Sequence, residues 1–273
     1  MKTQINMEWA QSLLSGHAAK EENMAEQRID WVQNGKAFKR HVKFKVMPPN
    51  SRENGIFSFI VGTHWSLGPN GDKRIICTET TTHLKKHNIP CPVCEAKRQL
   101  LAKGFKEEEL TVAGKYGPMP VFDPKITSNV KVVVMESDLR QDWDQKHISV
   151  LQQNGDFLTR WLVERQTKAD NPDFIVMGAG NCIEFSRPSD TAKWTREPSF
   201  TMFNPTEEVL AKLREENEAL YMPDVWKMPS DQEIMQMRAI MQETIKGYED
   251  AKTAVTDSVK AAVSSFDDDQ IPF

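Results

Sequence analysis

The spacing of one histidine and three cysteines constrains this 273-residue chain more than any other feature of its sequence. Twelve residues separate His64 from Cys77, thirteen separate Cys77 from Cys91, and two separate Cys91 from Cys94. A Cys-x-x-Cys turn lets two thiolates meet one tetrahedral ion, and Pro92 stiffens this one. Zinc takes four nitrogen or sulfur ligands at about 2.0–2.3 Å. The pattern therefore predicts one structural zinc ion with no open coordination position.

The histidine ligand is not fixed by spacing alone, because His83 and His87 also lie between Cys77 and Cys91. His64 is preferred because it follows the apolar run 55–61, which is typical of a strand, and a strand end holds a ligand rigidly. A redox pair, or reduced thiols in a core, is the alternative interpretation. A redox pair does not explain Cys77 or the short, polar, core-poor segment that a metal would stabilise.

The composition of the chain and the absence of common catalytic motifs restrict the classes of function that it can have. Charged residues make up 27% of the chain, and the sequence has no apolar run of about 18 residues, so no membrane span is expected. The first residues lack an apolar signal core, which predicts a protein that is not secreted. Four cysteines, three at metal spacing, suit a reducing cytoplasm. No phosphate-binding loop, nucleophile elbow or zinc-deaminase pattern is present, so we expect no enzyme activity.

The net charge of −4 conceals a division along the chain. Residues 31–200 contain 25 basic and 19 acidic side chains, whereas residues 201–273 contain 7 basic and 15 acidic ones. Residues 1–30 contain 3 basic and 5 acidic side chains. A basic middle followed by an acidic end is typical of a polyanion-binding core with a tail that competes with the polyanion.

The pattern of short strands predicts a mainly β, α+β fold. Residues 38–47 alternate, with Phe38, Val42 and Phe44 on one face and lysines on the other, which indicates a half-buried strand with a basic outer face. Further strands are predicted over 130–135, 148–151, 173–177 and 182–185, and a loop or weak strand over 112–122. Helices are predicted over 6–29, 95–103, 156–168 and 206–220, and from residue 230. Irregular short strands with glycine- and proline-rich loops favour an oligonucleotide-binding (OB) barrel.

We divide the chain into four parts on this basis. These are an N-terminal helical arm (1–35), an OB core (36–205) with a zinc subdomain at about 62–104, C-terminal helices (206–250) and a flexible acidic tail (251–273). Cys182 is expected to be a buried free thiol. The candidate DNA-contacting residues are the cations Lys39, Arg40, Lys43, Lys45, Lys73, Arg74, Lys115, Lys131, Arg187 and Lys193, and the aromatic residues Trp65, Tyr116, Trp143 and Trp194.

The chain ends in a short acidic and apolar tip. Asp267, Asp268 and Asp269 precede Gln270 and the sequence Ile271-Pro272-Phe273. Such a segment cannot bury enough apolar surface to fold alone. It can insert Ile271 and Phe273 into a partner's apolar pocket while a basic rim receives the carboxylates. The pattern therefore predicts a protein-interaction tip.

Residues 36–205, most specifically His64 to Cys94, resemble the core of T-even-type bacteriophage single-stranded-DNA-binding proteins. The resemblance implies an OB barrel with a zinc subdomain held by His64, Cys77, Cys91 and Cys94, and a basic, aromatic-lined cleft for single-stranded DNA. It also implies an N-terminal arm for self-association on DNA and an acidic regulatory tail. The last seven residues resemble instead the tip of bacterial single-stranded-DNA-binding proteins, which docks replication, recombination and repair proteins.

The expected function follows from this resemblance. The protein would coat and protect single strands in the cytoplasm of an infected bacterial host during phage DNA replication, recombination and repair. A zinc-module adaptor or transcription accessory protein is the alternative. The preference for long single strands separates the two, because an adaptor should show none.

Overall fold

The computed structural model describes residues 6–15, 31–33, 36–67, 71–114, 117–139, 145–167, 181–189, 192 and 194–264. The chain forms two compact units. The sheet unit contains residues 1–62, 80–87 and 125–227, and the cysteine unit contains residues 63–79, 88–124 and 228–273. The fold is mixed α+β, as the sequence predicts.

Among the described residues, seven antiparallel strands form the main path of a curled half-barrel in the sheet unit. They are β1 (Trp31–Gln33), β2 (Lys36–Phe38), β3 (His41–Val46), β8 (Lys125–Ser137), β9 (Ser149–Asn154), β10 (Asn181–Ser186) and β11 (Thr195–Met202). Their order across the sheet is β11-β10-β3-β8-β9-β1-β2, and β4 (Ser58–Leu67) pairs with β8 beside this path. The predicted strands 130–135, 148–151 and 182–185 correspond to β8, β9 and β10, and residues 173–177 lie outside the described part.

Both faces of this sheet are covered, which explains why residues 132–135 of β8 are all apolar. One face packs Val42, Phe44 and Val132 against α1 (Met7–Ser15) and α3 (Phe157–Thr167). The opposite face packs Val133 and Met47 with residues of α4 (Glu207–Ala219). A strand buried on both faces has no solvent side to mark with polar residues.

The first helix belongs to the core of the sheet unit. Ala10 is fully buried, and the ring of Trp9 meets that of Phe57 edge-on at 5.5 Å between centroids. The described start of the predicted arm therefore packs on the sheet unit and is not free. Residues 16–29 of the predicted helix lie outside the described residues.

A buried ion pair joins the middle of β8 to the loop before β4 (Ser58–Leu67). Lys131 Nζ lies 2.6 Å from Glu53 Oε2, and both side chains are 0% exposed. Glu53 also accepts hydrogen bonds from the backbone N–H groups of Asn50 (2.9 Å) and Met222 (3.2 Å). Burial lowers the pKa of Lys131, and the charge of Glu53 opposes that shift. Lys131 is thus a structural residue here and offers no accessible cation.

The basic face predicted for β3 is also largely engaged. Val42, Phe44 and Val46 are buried as predicted, but Lys45 is fully buried as well. Lys43 is mostly buried and lies 3.2 Å from Glu136 and 3.6 Å from Glu184. The alternation correctly identified the apolar face, whereas the expected solvent exposure of the other face is wrong for Lys45.

The cysteine unit combines a hairpin, two helices and a small sheet. Residues 63–67 of β4 pair with β5 (Lys73–Ile76), β6 (Thr111–Gly114) pairs with β7 (Gly117–Pro120), and α2 (Pro92–Ala102) ends before Gly104, whose φ is +79°. Its core contains Leu100, Phe105 and Phe122 together with Met237, Met241 and Ile245 of α6 (Asp231–Ser264).

Helix α6 is longer than the sequence predicted. Ser230 and Glu233 form a capping box at its start, with Ser230 N–H donating to Glu233 Oε2 at 2.7 Å and Glu233 N–H donating to Ser230 Oγ at 3.3 Å. The Met-rich stripe packs in the core as expected. Residues 251–264, predicted to be flexible, continue the helix, and Lys252 donates to the carbonyl of Gly104 at 3.1 Å. The tip, residues 265–273, lies outside the described residues.

A short four-residue helix, α5 (Met222–Val225), follows α4 in the sheet unit.

Candidate metal centre and candidate nucleic-acid surfaces

Three local elements bring the four predicted metal ligands together. His64 lies within β4, opposite Ile75 of β5, and Cys77 follows directly after β5. Cys91 is the N-cap residue of α2 and Cys94 lies in the first turn of that helix. The hairpin and the helix therefore each contribute two ligands. The predicted position of His64 at a strand end is slightly wrong, because β4 continues to Leu67.

The distances between the ligand atoms match those around a tetrahedral ion. His64 Nε2 lies 3.3 Å from Cys91 Sγ and 3.6 Å from Cys94 Sγ, and the Sγ atoms of Cys77 and Cys94 are 3.6 Å apart. All four ligand atoms lie within 4.8 Å of one another. Tetrahedral zinc would separate two sulfurs by about 3.8 Å and a sulfur from a nitrogen by about 3.6 Å. The four residues could therefore hold a metal ion.

Burial and mutual contact dominate the electrostatics of this cluster. Burial lowers the pKa of His64, but hydrogen bonds and negative charge from Cys77 and Cys91 outweigh it and raise that pKa to about 9. Hydrogen bonds to Cys77 and Cys91, then burial, raise the pKa of Cys94. At this spacing, three ionised thiols would repel one another. A bound divalent cation would offset that repulsion and stabilise the thiolate forms.

The other two candidate histidines, His83 and His87, lie away from the cluster. His83 Nε2 makes a 2.7 Å hydrogen bond with the carbonyl oxygen of Trp226, and its ring meets Phe59 at 6.1 Å between centroids. His87 is exposed in a short 3-10 turn. The structure thus supports His64 as the fourth member of the cluster. Cys182 is a buried free thiol in the sheet unit, as expected.

Polar residues around the cluster were not identified from the sequence. The carboxylate of Glu79 accepts the backbone N–H of Cys91 at 2.9 Å and two guanidinium N–H groups of Arg98, at 2.7 and 2.9 Å. The hydroxyl of Thr78 donates to the carbonyl of Ile89 at 2.6 Å. The only sequence signal for these residues is proximity, since Thr78 and Glu79 follow Cys77 directly.

One candidate DNA-contacting group forms an open surface on the β4–β5 hairpin, here called the hairpin patch (Trp65, Lys73 and Arg74). Trp65 is 49% exposed although it is a large apolar side chain. The guanidinium of Arg74 lies 5.4 Å from the centre of its ring, and Lys73 is exposed. Trp65 directly follows His64, so the hairpin patch and the metal cluster are adjacent in the sequence.

A second group of candidates lies between β2 and β3 and directly after β10. Lys39 and Arg40 are exposed, and their backbone N–H groups donate to Asp138 Oδ2 at 2.8 and 3.0 Å. Arg187 donates to the carbonyl of Lys39 and covers the ring of Trp194 at 4.9 Å. Trp194 is only 7% exposed, so its ring supports Arg187 and is not open for stacking.

The remaining candidate residues for contacts with DNA or proteins are either buried or engaged in the sheet unit, or lie outside the described residues. Lys43, Lys45 and Lys131 are engaged or buried in the sheet unit, as described above. Lys115, Tyr116, Trp143, Lys193, Asp267, Asp268, Asp269, Ile271, Pro272 and Phe273 lie outside the described residues.

Among the helices of the described residues, none is long and apolar enough to cross a lipid bilayer. In comparisons with protein-family models, with curated proteins and with solved structures, the chain has no match. The function must therefore follow from the cluster and the surfaces themselves.

Proposed function

We propose that this chain is a non-catalytic single-stranded-DNA-binding protein whose cysteine unit holds one structural zinc ion. The observation that carries the proposal is the hairpin patch, in which the guanidinium of Arg74 lies 5.4 Å from the centre of the half-exposed Trp65 ring, and the exposed Lys73 precedes Arg74 in the chain. Proteins that bind single strands without sequence preference combine aromatic rings that stack on bases with cations that neutralise phosphates. The curled antiparallel half-barrel is the kind of scaffold that an OB fold provides.

The four ligands His64, Cys77, Cys91 and Cys94 would hold the zinc ion, which supplies a structural cross-link and no reactive position. His64 lies directly before Trp65, and Cys77 lies three residues after Arg74. The hairpin patch is thus bracketed by ligands. Metal binding would fix the hairpin strands, and with them the spacing between the stacking ring and the cations.

The mechanism selects single strands because a duplex does not release its bases for stacking. The cations Lys73 and Arg74, together with Lys39, Arg40 and Arg187, would neutralise phosphates and release counterions. For a single strand, log K should fall against log salt with a slope of about −0.7 per neutralised phosphate. The protein would thereby coat and protect single strands during phage DNA replication, recombination and repair.

Reversing both charges of the hairpin patch tests this proposal. The double variant Lys73→Glu/Arg74→Glu should weaken binding to an oligothymidylate and make the salt slope shallower by about 1.4, the contribution of two phosphates. Trp65→Ala should also weaken binding, at a cost of about 1–3 kcal/mol for one stacked base, with little change in slope. The measurement is a fluorescence titration with single- and double-stranded oligonucleotides at several salt concentrations.

A matched control carries the same charge change elsewhere in the cysteine unit. Arg238 and Lys246 are exposed on α6, and Arg238→Glu/Lys246→Glu should leave the salt slope nearly unchanged. Equal affinity of the wild-type protein for duplex and single strands would contradict the proposed function. Equal losses in both double variants would show a general charge effect and no localised surface.

The acidic end would act as a brake on DNA binding and as a contact for other proteins. It combines a net charge of −8 over residues 201–273 with an apolar tip. Free carboxylates can compete with phosphates for the basic surfaces, and bound DNA would release the tip to replication, recombination and repair proteins.

Deleting residues 266–273 should therefore tighten DNA binding, and more at low salt because exposed charges are screened over about 10 Å at 0.1 M. Phe273→Ala removes no charge, so it should preserve DNA affinity while abolishing capture of replication proteins. Both are measured by salt-dependent titration and by pull-down with purified candidates. Unchanged affinity of the deletion variant at every salt concentration would eliminate the brake.

A further inference from the structure

An ion pair lies directly behind the Cys-Pro-Val-Cys turn. Glu79 Oε1 accepts the backbone N–H of Cys91 at 2.9 Å. The same carboxylate binds Arg98 through both oxygens, at 2.7 and 2.9 Å. Cys91 is the N-cap residue of α2 and makes no side-chain capping bond of its own. The Glu79 carboxylate thus links the ligand-bearing turn to the second turn of α2.

The same pair lies near the most accessible ligand. His64, Cys77 and Cys91 are buried, whereas Cys94 is only partly buried. Arg98 follows Cys94 by four residues, one helical turn later on the same face of α2. Arg98 therefore lies within electrostatic reach of the edge through which a metal or a chelator would pass.

We propose that Glu79 and Arg98 form a positioning clamp that holds Cys91 and Cys94 in their metal-binding geometry and slows the loss of the metal. This inference rests on the proposed metal centre. Contacts to metal ligands from the surrounding shell orient those ligands, and removing them typically costs about 10–100-fold in metal affinity. A cation beside Cys94 also offsets the net negative charge that three thiolates leave around one divalent ion.

The position of the clamp separates this role from a general contribution to folding. The Arg98 side chain is 56% exposed and that of Glu79 is 33% exposed. Ion pairs this accessible contribute little to global stability because water screens them. Their loss should therefore leave the sheet unit intact while acting on the metal through Cys91 and Cys94.

The chain provides a matched control on the same helix. Lys97 precedes Arg98 and pairs with Asp123 at 2.8 Å and Glu107 at 3.1 Å, and the structure gives it no contact with a metal ligand. Lys97→Gln therefore removes the charge that makes two ion pairs one residue away. Glu79→Gln keeps an oxygen acceptor for the Cys91 N–H but loses the charge pair, and Glu79→Ala loses both.

The experiment measures zinc transfer from the purified full-length protein to 4-(2-pyridylazo)resorcinol, whose visible absorption band shifts when it binds zinc. Glu79→Ala should speed release by about tenfold or more. Glu79→Gln and Arg98→Gln should give smaller increases, and Lys97→Gln should match wild type within about twofold. Circular dichroism of each metal-loaded variant serves as the second readout and should be unchanged.

Release from Glu79→Ala and Arg98→Gln at the wild-type rate would overturn the clamp, as would equal acceleration by Lys97→Gln. If Glu79→Ala does not fold, Glu79→Gln and Arg98→Gln decide the question through the same rates. Wild-type protein that contains no metal would eliminate the metal centre and the clamp together. Metal-containing wild type with unaffected variants would eliminate the clamp alone.

Discussion

Replacing Cys91 with serine should remove the metal and unfold the cysteine unit. Cys91 is fully buried and shares the cluster with His64, Cys77 and Cys94. Structural zinc contributes about 10–16 kcal/mol of apparent binding free energy in small zinc-binding peptides, and that free energy is also folding free energy. Metal content by elemental analysis should fall from about one equivalent to nearly none. Amide-exchange protection should disappear over residues 63–79 and 92–110 and persist in the sheet unit.

Other cysteine and histidine residues supply the controls for this experiment. Cys182→Ser alters a buried free thiol of the sheet unit and should retain the metal. His64→Ala should lose the metal, whereas His83→Ala should keep it, because His83 bonds to Trp226 and not to the cluster. Fresh wild-type protein with less than half an equivalent of zinc would contradict the proposed metal centre. So would a Cys91→Ser protein with its metal fully retained.

The second large effect should come from the buried ion pair of the sheet unit. Lys131→Ala leaves the Glu53 carboxylate without its cation in a site where both side chains are 0% exposed. Breaking a buried pair by removing one partner typically costs about 3–5 kcal/mol, because the remaining charge stays desolvated. The free energy of unfolding, measured by denaturant titration of metal-loaded protein, should fall by that amount.

A neutral replacement of both partners should recover much of this loss. Lys131→Met/Glu53→Gln removes both charges, and the glutamine oxygen can still accept a backbone N–H from Asn50 or Met222. Lys212→Ala is the comparison for a more accessible pair, since the Lys212 side chain is 52% exposed beside Glu216, and it should cost about 0–1 kcal/mol. A Lys131→Ala protein as stable as Lys212→Ala would show that Glu53 finds water or another partner, contrary to this prediction.

Local patterns in the sequence determined much of the cysteine unit and most of the regular elements. The spacing of His64, Cys77, Cys91 and Cys94 identified the cluster because a metal site demands particular atoms at short range, and few arrangements of a chain provide them. Alternation in β3 and the helical stripe of Met237 and Met241 identified the core-facing sides. These signals depend only on residues close together in the sequence, so they can be recognised without knowing which surface each segment packs against.

Only the tertiary structure decided what covers each remaining surface. Lys45 looks like a solvent-facing cation by alternation, and Lys131 is a candidate DNA contact. Both are buried, and Lys131 pairs with a residue 78 positions earlier. Helix α6 extends through residues that composition marks as flexible, and its first half completes the core around Leu100 and Phe105. Periodicity specifies which side chains share a face, but the burial and charge of that face depend on segments distant in sequence. The contact between Glu79 and Cys91 has the same origin, since only the folded chain brings a carboxylate to that backbone N–H.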